Sequence, residues 1–235
     1  MKHSLSTSRK ILLAGAMIGG LCAYSPSANA QAVAAATTYN VTINRVELCT
    51  EATCTLPITV GSGTTQFDIS SATVGAALGS YATLEAVPKG TTITHVRVTL
   101  SRSIGIAGST ADPGNVGGTC GTDSTDNTSA VTAAGIGIVG GGGTTQTLVV
   151  PDEGSIAGNP PGGTYAAQDV TLTSATEMQI LKALPGPFIM EDEPPVVDIA
   201  FETAAGLQAF DSNGGVAGGG CLMLPGAPVV SITKR

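Results

Sequence analysis

The chain has 235 residues and a formal net charge of −7, with 42% hydrophobic, 11% charged and only 3% aromatic residues. Its ten Lys and Arg residues are too few for the basic surface that nucleic-acid binding requires, so we exclude nucleic acid as a partner. A chain this apolar and this weakly charged can bury enough surface to fold, which excludes general disorder.

The first thirty residues have the three parts of a secretory signal peptide. Basic residues precede an apolar run over 11–23, which is shorter than the about 20 residues of a membrane span. An Ala-x-Ala site follows, so we expect cleavage after Ala30. The mature chain, 31–235, would carry 7 Lys and Arg against 17 Asp and Glu, a net charge of −10. We therefore predict an exported protein of the periplasm, cell surface or medium, without a transmembrane span.

The first residues of that mature chain, 31–38, are small, uncharged and largely apolar. Two interpretations stand side by side. The segment is either a flexible leader or a strand that is exchanged with a neighbouring copy and completes its sheet.

The following residues indicate an all-β protein. Thr and Val, which favour strands, are common, whereas helix-forming Glu, Lys, Arg and Gln are scarce. Tyr39, Val41 and Ile43 alternate with polar residues, and the apolar phase then shifts to Val46 and Leu48. Such a shift is typical of a strand with a β-bulge.

Strand and turn signals continue to the end of the chain. Residues 66–69 form a short alternating strand, and 81–87 lead through a Pro-x-Gly turn into the alternating run 92–100, which predicts a hairpin. Only 175–184 has helical spacing, so at most one short helix is expected, near these residues. Further strands are predicted at 131–139, 145–150, 169–173, 196–202, 207–210, 221–224 and 229–233.

The number and spacing of these elements favour one domain. About ten short strands separated by turn residues are typical of a single β-sandwich, and its usual length suits 31–235. Two long polar loops, 109–129 and 151–163, interrupt the strands. We expect a single β-sandwich with Gly- and Thr-rich loops.

Four cysteines remain after residue 30, an even number in a chain with an export signal, which indicates two disulfides. Three pairings of four cysteines exist. We favour Cys49–Cys54 with Cys120–Cys221, because a strand end and a short loop bring the first two together. A structural zinc site would need close pairs of Cys or His ligands, and Cys120 and Cys221 are isolated in the sequence. A redox pair would need closer spacing than four intervening residues, such as Cys-x-x-Cys.

The remaining patterns contain no catalytic constellation. His95, the only histidine after residue 30, lies on the polar phase of its strand, so we expect it to face solvent rather than activate a nucleophile. Paired acids such as Glu191 and Glu193 are what a glycosidase would use, but the chain has no Trp on which a sugar could stack. We predict that the protein is not an enzyme.

One candidate metal site remains. Asp112, Asp123, Asp126 and Asn127 supply oxygen ligands from one polar loop, which suits calcium, the one cofactor that the sequence suggests.

These observations favour an exported, non-catalytic β-sandwich protein that serves as a cell-surface, adhesive or filament subunit. Its partners would be further copies of itself or other surface proteins. The alternative is a secreted module that binds calcium or a glycan, and a carboxylate-based hydrolase ranks third.

Overall fold

The computed structural model describes residues 31–70, 83–113, 117–122, 138–139, 143–150, 152, 165–191, 197–211, 221–226 and 229–234. These residues are mostly β-strand, and their helical elements are two short 3₁₀ turns, Leu84–Ala86 and Tyr165–Gln168. The prediction of an all-β protein is confirmed at this level. No helix within the described ranges has the length and apolar character needed to cross a membrane.

Fifteen strands lie in the described residues. They are β1 (Gln31–Ala34), β2 (Thr38–Cys49), β3 (Ile58–Asp68), β4 (Thr92–Ser101), β5 (Ser103–Ala107), β6 (Ser109–Ala111), β7 (Thr119–Gly121), β8 (Ile138–Val139), β9 (Gln146–Val149), β10 (Val170–Leu172), β11 (Glu177–Ile189), β12 (Val197–Glu202), β13 (Leu207–Asp211), β14 (Cys221–Pro225) and β15 (Val229–Lys234).

The largest sheet is organised around β2. On one side β2 pairs with β3, and on the other side it pairs with β4 and β5, which are separated only by Arg102. Beyond these, β11 pairs with β4, β10 pairs with β11, and β9 pairs with β5. The register of β2 shifts between Ile43 and Arg45 against both neighbours. This irregularity is the bulge that the change of apolar phase predicted.

Smaller sheets contain the other strands. β13 lies between β1 and β14, and β12 pairs with β15. β13 and β14, like β12 and β15, are antiparallel, so the strands from residue 197 onward pair with one another. A third small sheet has the order β6-β7-β8.

One hydrophobic core joins the largest sheet to the β1-β13-β14 sheet. Each Ile, Leu or Met side chain that folding buries completely contributes roughly 1.5–3 kcal/mol, so this shared cluster is the main source of stability. Its most deeply buried members come from both sheets, and they include Ile43, Ile93, Ile106 and Leu148 from the first and Leu207, Ala209 and Met223 from the second.

The helical spacing at 175–184, which allowed at most one short helix, does not correspond to a helix. Residues 177–189 are the long strand β11, which pairs with both β10 and β4. Met178, Leu181 and Leu184 have helical spacing, but Met178 and Ile180 also alternate as a strand requires, and short apolar runs fit both periods. Two strand neighbours settle the choice, because they satisfy the backbone of β11 on both sides.

The predicted hairpin of 81–87 with 92–100 is wrong. Leu84–Ala86 form a 3₁₀ turn, while residues 81 and 82 lie outside the described ranges. β4 lies between β2 and β11, so both of its edges are taken. The Thr83 N–H instead donates to the Val60 carbonyl of β3, at 2.8 Å.

Most other predicted strands are confirmed to within one or two residues. The strands expected at 145–150, 169–173, 196–202, 207–210, 221–224 and 229–233 appear as β9, β10, β12, β13, β14 and β15. The strand expected at 66–69 is only the end of β3, which begins at Ile58. Of 131–139, only 138–139 are described, as β8.

Candidate functional site

The loop after β2 is closed by the predicted Cys49–Cys54 disulfide, with a Cα–Cα distance of 5.0 Å. The loop forms a tight turn in which the Cys54 N–H donates to the Glu51 carbonyl at 3.2 Å. Cys54 has a φ of 48°, in the left-handed region that residues other than glycine rarely occupy. Both cysteines are buried, so the loop is a clamp at the end of the strand.

The second predicted disulfide, Cys120–Cys221, is also present, with a Cα–Cα distance of 5.9 Å. It joins β7 to β14, and both residues are buried. All four cysteines after residue 30 are therefore paired in disulfides, and none of them is a thiolate ligand or a free nucleophile.

Beside the first disulfide, a buried carboxylate is held between two arginines. Glu47 on β2 and Arg97 on β4 are directly opposite in register, and Arg97 Nε lies 2.7 Å from Glu47 Oε2. Arg45 Nε approaches the other carboxylate oxygen at 3.2 Å. Arg97 Nη1 also donates to the Cys54 carbonyl at 3.2 Å. The guanidinium group of Arg97 thus links the centre of the sheet to the disulfide loop.

His95 lies near this cluster, and it is half-buried rather than fully exposed to solvent. Its Nδ1 is 2.8 Å from the Thr94 hydroxyl, which also lies 3.4 Å from the Cys49 carbonyl. When Thr94 donates its proton to that carbonyl, its oxygen accepts from Nδ1–H, and the ring does not act as a base toward Thr94. Among the described residues, no carboxylate hydrogen-bonds to the ring to orient it for catalysis.

Arg102 is a second buried charge, 1% exposed, at the break between β4 and β5. Its Nε and Nη2 donate to the Val150 carbonyl at 2.9 and 2.6 Å, and Nη1 donates to the Ser174 carbonyl at 2.8 Å. Nη2 also lies 2.7 Å from Asp152 Oδ1. Arg102 lies between β4, which pairs with β11, and β5, which pairs with β9. Its side chain therefore lies where one neighbouring strand replaces the other.

Neither arginine cluster could be found from the sequence alone. Glu47, Arg97 and Arg102 stand among strand residues, but which of them meet depends on the strand order and register. The one available signal was that Glu47 and Arg97 both fall on the polar phase of their strands.

Of the four candidate calcium ligands, only Asp112 lies in the described residues. This residue is buried, and its N–H donates to the Gly118 carbonyl at 3.0 Å. Asp123, Asp126 and Asn127 lie outside the described residues. Within the described ranges, no three His, Cys, Asp or Glu side chains are grouped as metal ligands. Of the acids considered for a glycosidase, Glu191 is exposed, and 192 and 193 lie outside those ranges.

Three titratable groups have shifted pKa values. Burial raises the pKa of Tyr39, whose hydroxyl donates to the Gly226 carbonyl at 3.0 Å. Burial also acts to raise the pKa of Asp68, but hydrogen bonds from Ser70 and the Tyr39 N–H outweigh it and lower that pKa. Hydrogen bonds from Thr55, and then Thr53, lower the pKa of exposed Glu51. The Tyr39 hydroxyl and the Asp68 carboxylate thus bond to distant parts of the chain, whereas Glu51 bonds within its own loop.

No protein-family model, curated protein or solved structure matches the chain.

Proposed function

We propose that the protein is an exported, non-catalytic β-sandwich that serves at the cell surface as a structural, adhesive or filament subunit. In this proposal the largest sheet and the β1-β13-β14 sheet are the two layers of the sandwich. The shared core of Ile43, Ile106, Leu207 and Met223 supports that arrangement, because both sheets bury apolar side chains in the same cluster.

The observation that carries export is the pairing of all four cysteines after residue 30 in two disulfides. Disulfides persist in oxidising compartments and are rare in the reducing cytoplasm. The sequence of residues 1–30, which has the parts of a secretory signal, also supports a location outside the cytoplasm.

The placement of charged residues supports a structural role. Glu47 and Arg97 connect β2 and β4, and Arg102 connects the ends of β9 and β11 through carbonyl oxygens. An active site requires side chains that converge on a space for substrate. These groups instead form hydrogen bonds with neighbouring strands and loops.

Surface labelling tests the proposal. Lys89 is exposed, so a membrane-impermeant amine reagent applied to intact cells should modify it as fully as it does in lysed cells. Mapping the modified peptide distinguishes Lys89 from the other lysines after residue 30, Lys182 and Lys234. Modification only after the outer envelope is permeabilised would contradict the surface role, and modification only after complete lysis would contradict export.

A calcium-binding role is the second candidate, and the buried carboxylate of Asp112 favours it, because carboxylate oxygens are ligands of calcium. Millimolar calcium should then raise the melting temperature relative to EDTA, and the double variant Asp123→Asn, Asp126→Asn should abolish the rise. An unchanged melting temperature in calcium would remove this candidate. Magnesium is the matched control, since it prefers a stricter octahedral geometry.

A further inference from the structure

β1 is the edge strand of its sheet. Gln31–Ala34 pair antiparallel with Phe210–Leu207 on one side, and no strand in the described part of the chain pairs with the other side. Ala32 and Ala34 pack against the core, whereas Val33 is 55% exposed. A row of backbone donors and acceptors beside small side chains is a template for another strand.

Two edge strands of the largest sheet, β3 and β10, carry features that discourage such pairing. β3 has two register shifts against β2, and Gly63 within it has a φ of 112°. β10 is only three residues long and follows Asp169, whose carboxylate binds Lys182. β9 shares the uncharged and regular character of β1, but it ends three residues before Asp152, whose side chain is 53% exposed. β1 has no charge, proline or glycine, and its four pairs with β13 run without a register shift.

Electrostatics favours the same edge. The chain is acidic, and two copies that approach each other through most surfaces bring carboxylates together. Residues 31–38 carry no charged side chain, and neither does β6 (Ser109–Ala111), which packs near β1. Two copies therefore meet at β1 with little repulsion between charged side chains.

We propose that β1 is a self-association edge, which pairs antiparallel with β1 of a second copy about a twofold axis and makes one sheet continuous across both. This inference rests on the proposed function and names the partner as the chain itself. Four residues on each side bury less than the about 1,200–2,000 Å² of a stable interface, so the association is weak and depends on concentration.

Sedimentation velocity on the mature chain, 31–235, over micromolar to millimolar concentrations, tests the proposal. The average mass should rise with concentration, and Val33→Lys should weaken the association by about tenfold or more, because the twofold axis places both added charges on the same face of the joined sheet, close together. Raising the salt to about 0.5 M NaCl should restore much of it by screening. Leu56→Lys is the matched control: Leu56 is 81% exposed and follows the far end of β2, so this variant should associate as the wild type does.

Three results would overturn the inference: a strictly monomeric wild type, equal weakening by both variants, or an association that Val33→Lys leaves intact. The last result would indicate exchange of β1 between copies, because exchange keeps residue 33 at an exposed position. Circular dichroism on each variant confirms that the fold is retained. Surface labelling at Lys89 is independent of self-association, so failure of the β1 edge and failure of the surface role are distinguishable.

Discussion

Cys120 and Cys221 lie 101 positions apart in the sequence, yet their disulfide joins β7 to β14 at a Cα–Cα distance of 5.9 Å. Cys49 and Cys54 are only 5 positions apart. In the chain-entropy account, a disulfide that closes a long loop constrains the unfolded chain far more than one that closes a short loop. The two bonds therefore differ in how much stability they contribute.

We predict that Cys120→Ser with Cys221→Ser lowers the free energy of unfolding by about 5 kcal/mol, and Cys49→Ser with Cys54→Ser by about 2 kcal/mol. Urea denaturation of both double variants, with the wild type alongside, measures the difference. A larger loss from the short-loop pair would show that local strain, and not loop closure, decides the contribution.

The Glu47–Arg97 pair gives a second prediction. Arg97→Ala leaves the Glu47 carboxylate, whose side chain is 5% exposed, with only Arg45 as a charged partner in the described structure. We expect the free energy of unfolding to fall by about 3 kcal/mol, because a buried charge that loses one of its partners is poorly compensated. Arg45→Ala is the control, and since that side chain is 42% exposed it should cost less than about 1 kcal/mol. Equal losses from the two variants would contradict this assignment.

Arg102 is expected to be among the most sensitive positions. Arg102→Met keeps the apolar bulk but leaves the Val150 and Ser174 carbonyls without their donor, so we predict a loss of about 3 kcal/mol in urea denaturation. Asp152→Asn should cost less than about 1 kcal/mol, because the side chain of Asp152 is 53% exposed. An Arg102→Met variant with the same free energy of unfolding as the wild type would show that the sheet edges do not depend on this junction.

Tyr39 makes the free energy of unfolding depend on pH in the alkaline range. Its pKa is raised in the folded protein, so the unfolded chain loses this proton first as pH rises. The contribution is fully present below the unfolded pKa of about 10 and declines above it. Tyr39→Phe should flatten the decline, while costing about 1 kcal/mol at neutral pH through the lost hydrogen bond to Gly226. Unfolding curves from neutral to strongly alkaline pH measure both effects, and an unchanged slope in the variant would contradict the account.

Local pattern was enough to predict much of the fold. The alternation of Tyr39, Val41 and Ile43 predicted β2, and the shift to Val46 predicted its bulge, because a half-buried strand must place every second residue in the core. The pairing of the cysteines was also predicted correctly, since it followed from loop length and elimination.

The failures occurred where distant residues decide the structure. Residues 177–184 fit either a helix or a strand until β4 and β10 are placed beside them. Residues 84–86 were expected beside β4, but β2 and β11 occupy both edges of that strand. The contacts of Glu47 with Arg97, and of Arg102 with Val150, depend in the same way on strand order, which composition and periodicity do not contain.

We propose that the protein is exported and that it folds with both disulfides formed. Mass spectrometry of the non-reduced protein from fractionated cells, after treatment with a thiol-alkylating reagent, tests it most directly. We predict a chain that begins at Gln31, lies in the exported fraction, and carries two disulfides and no alkylated cysteine. An intact chain that begins at Met1 in the cytoplasmic fraction, with alkylated Cys49, Cys54, Cys120 and Cys221, would contradict the account.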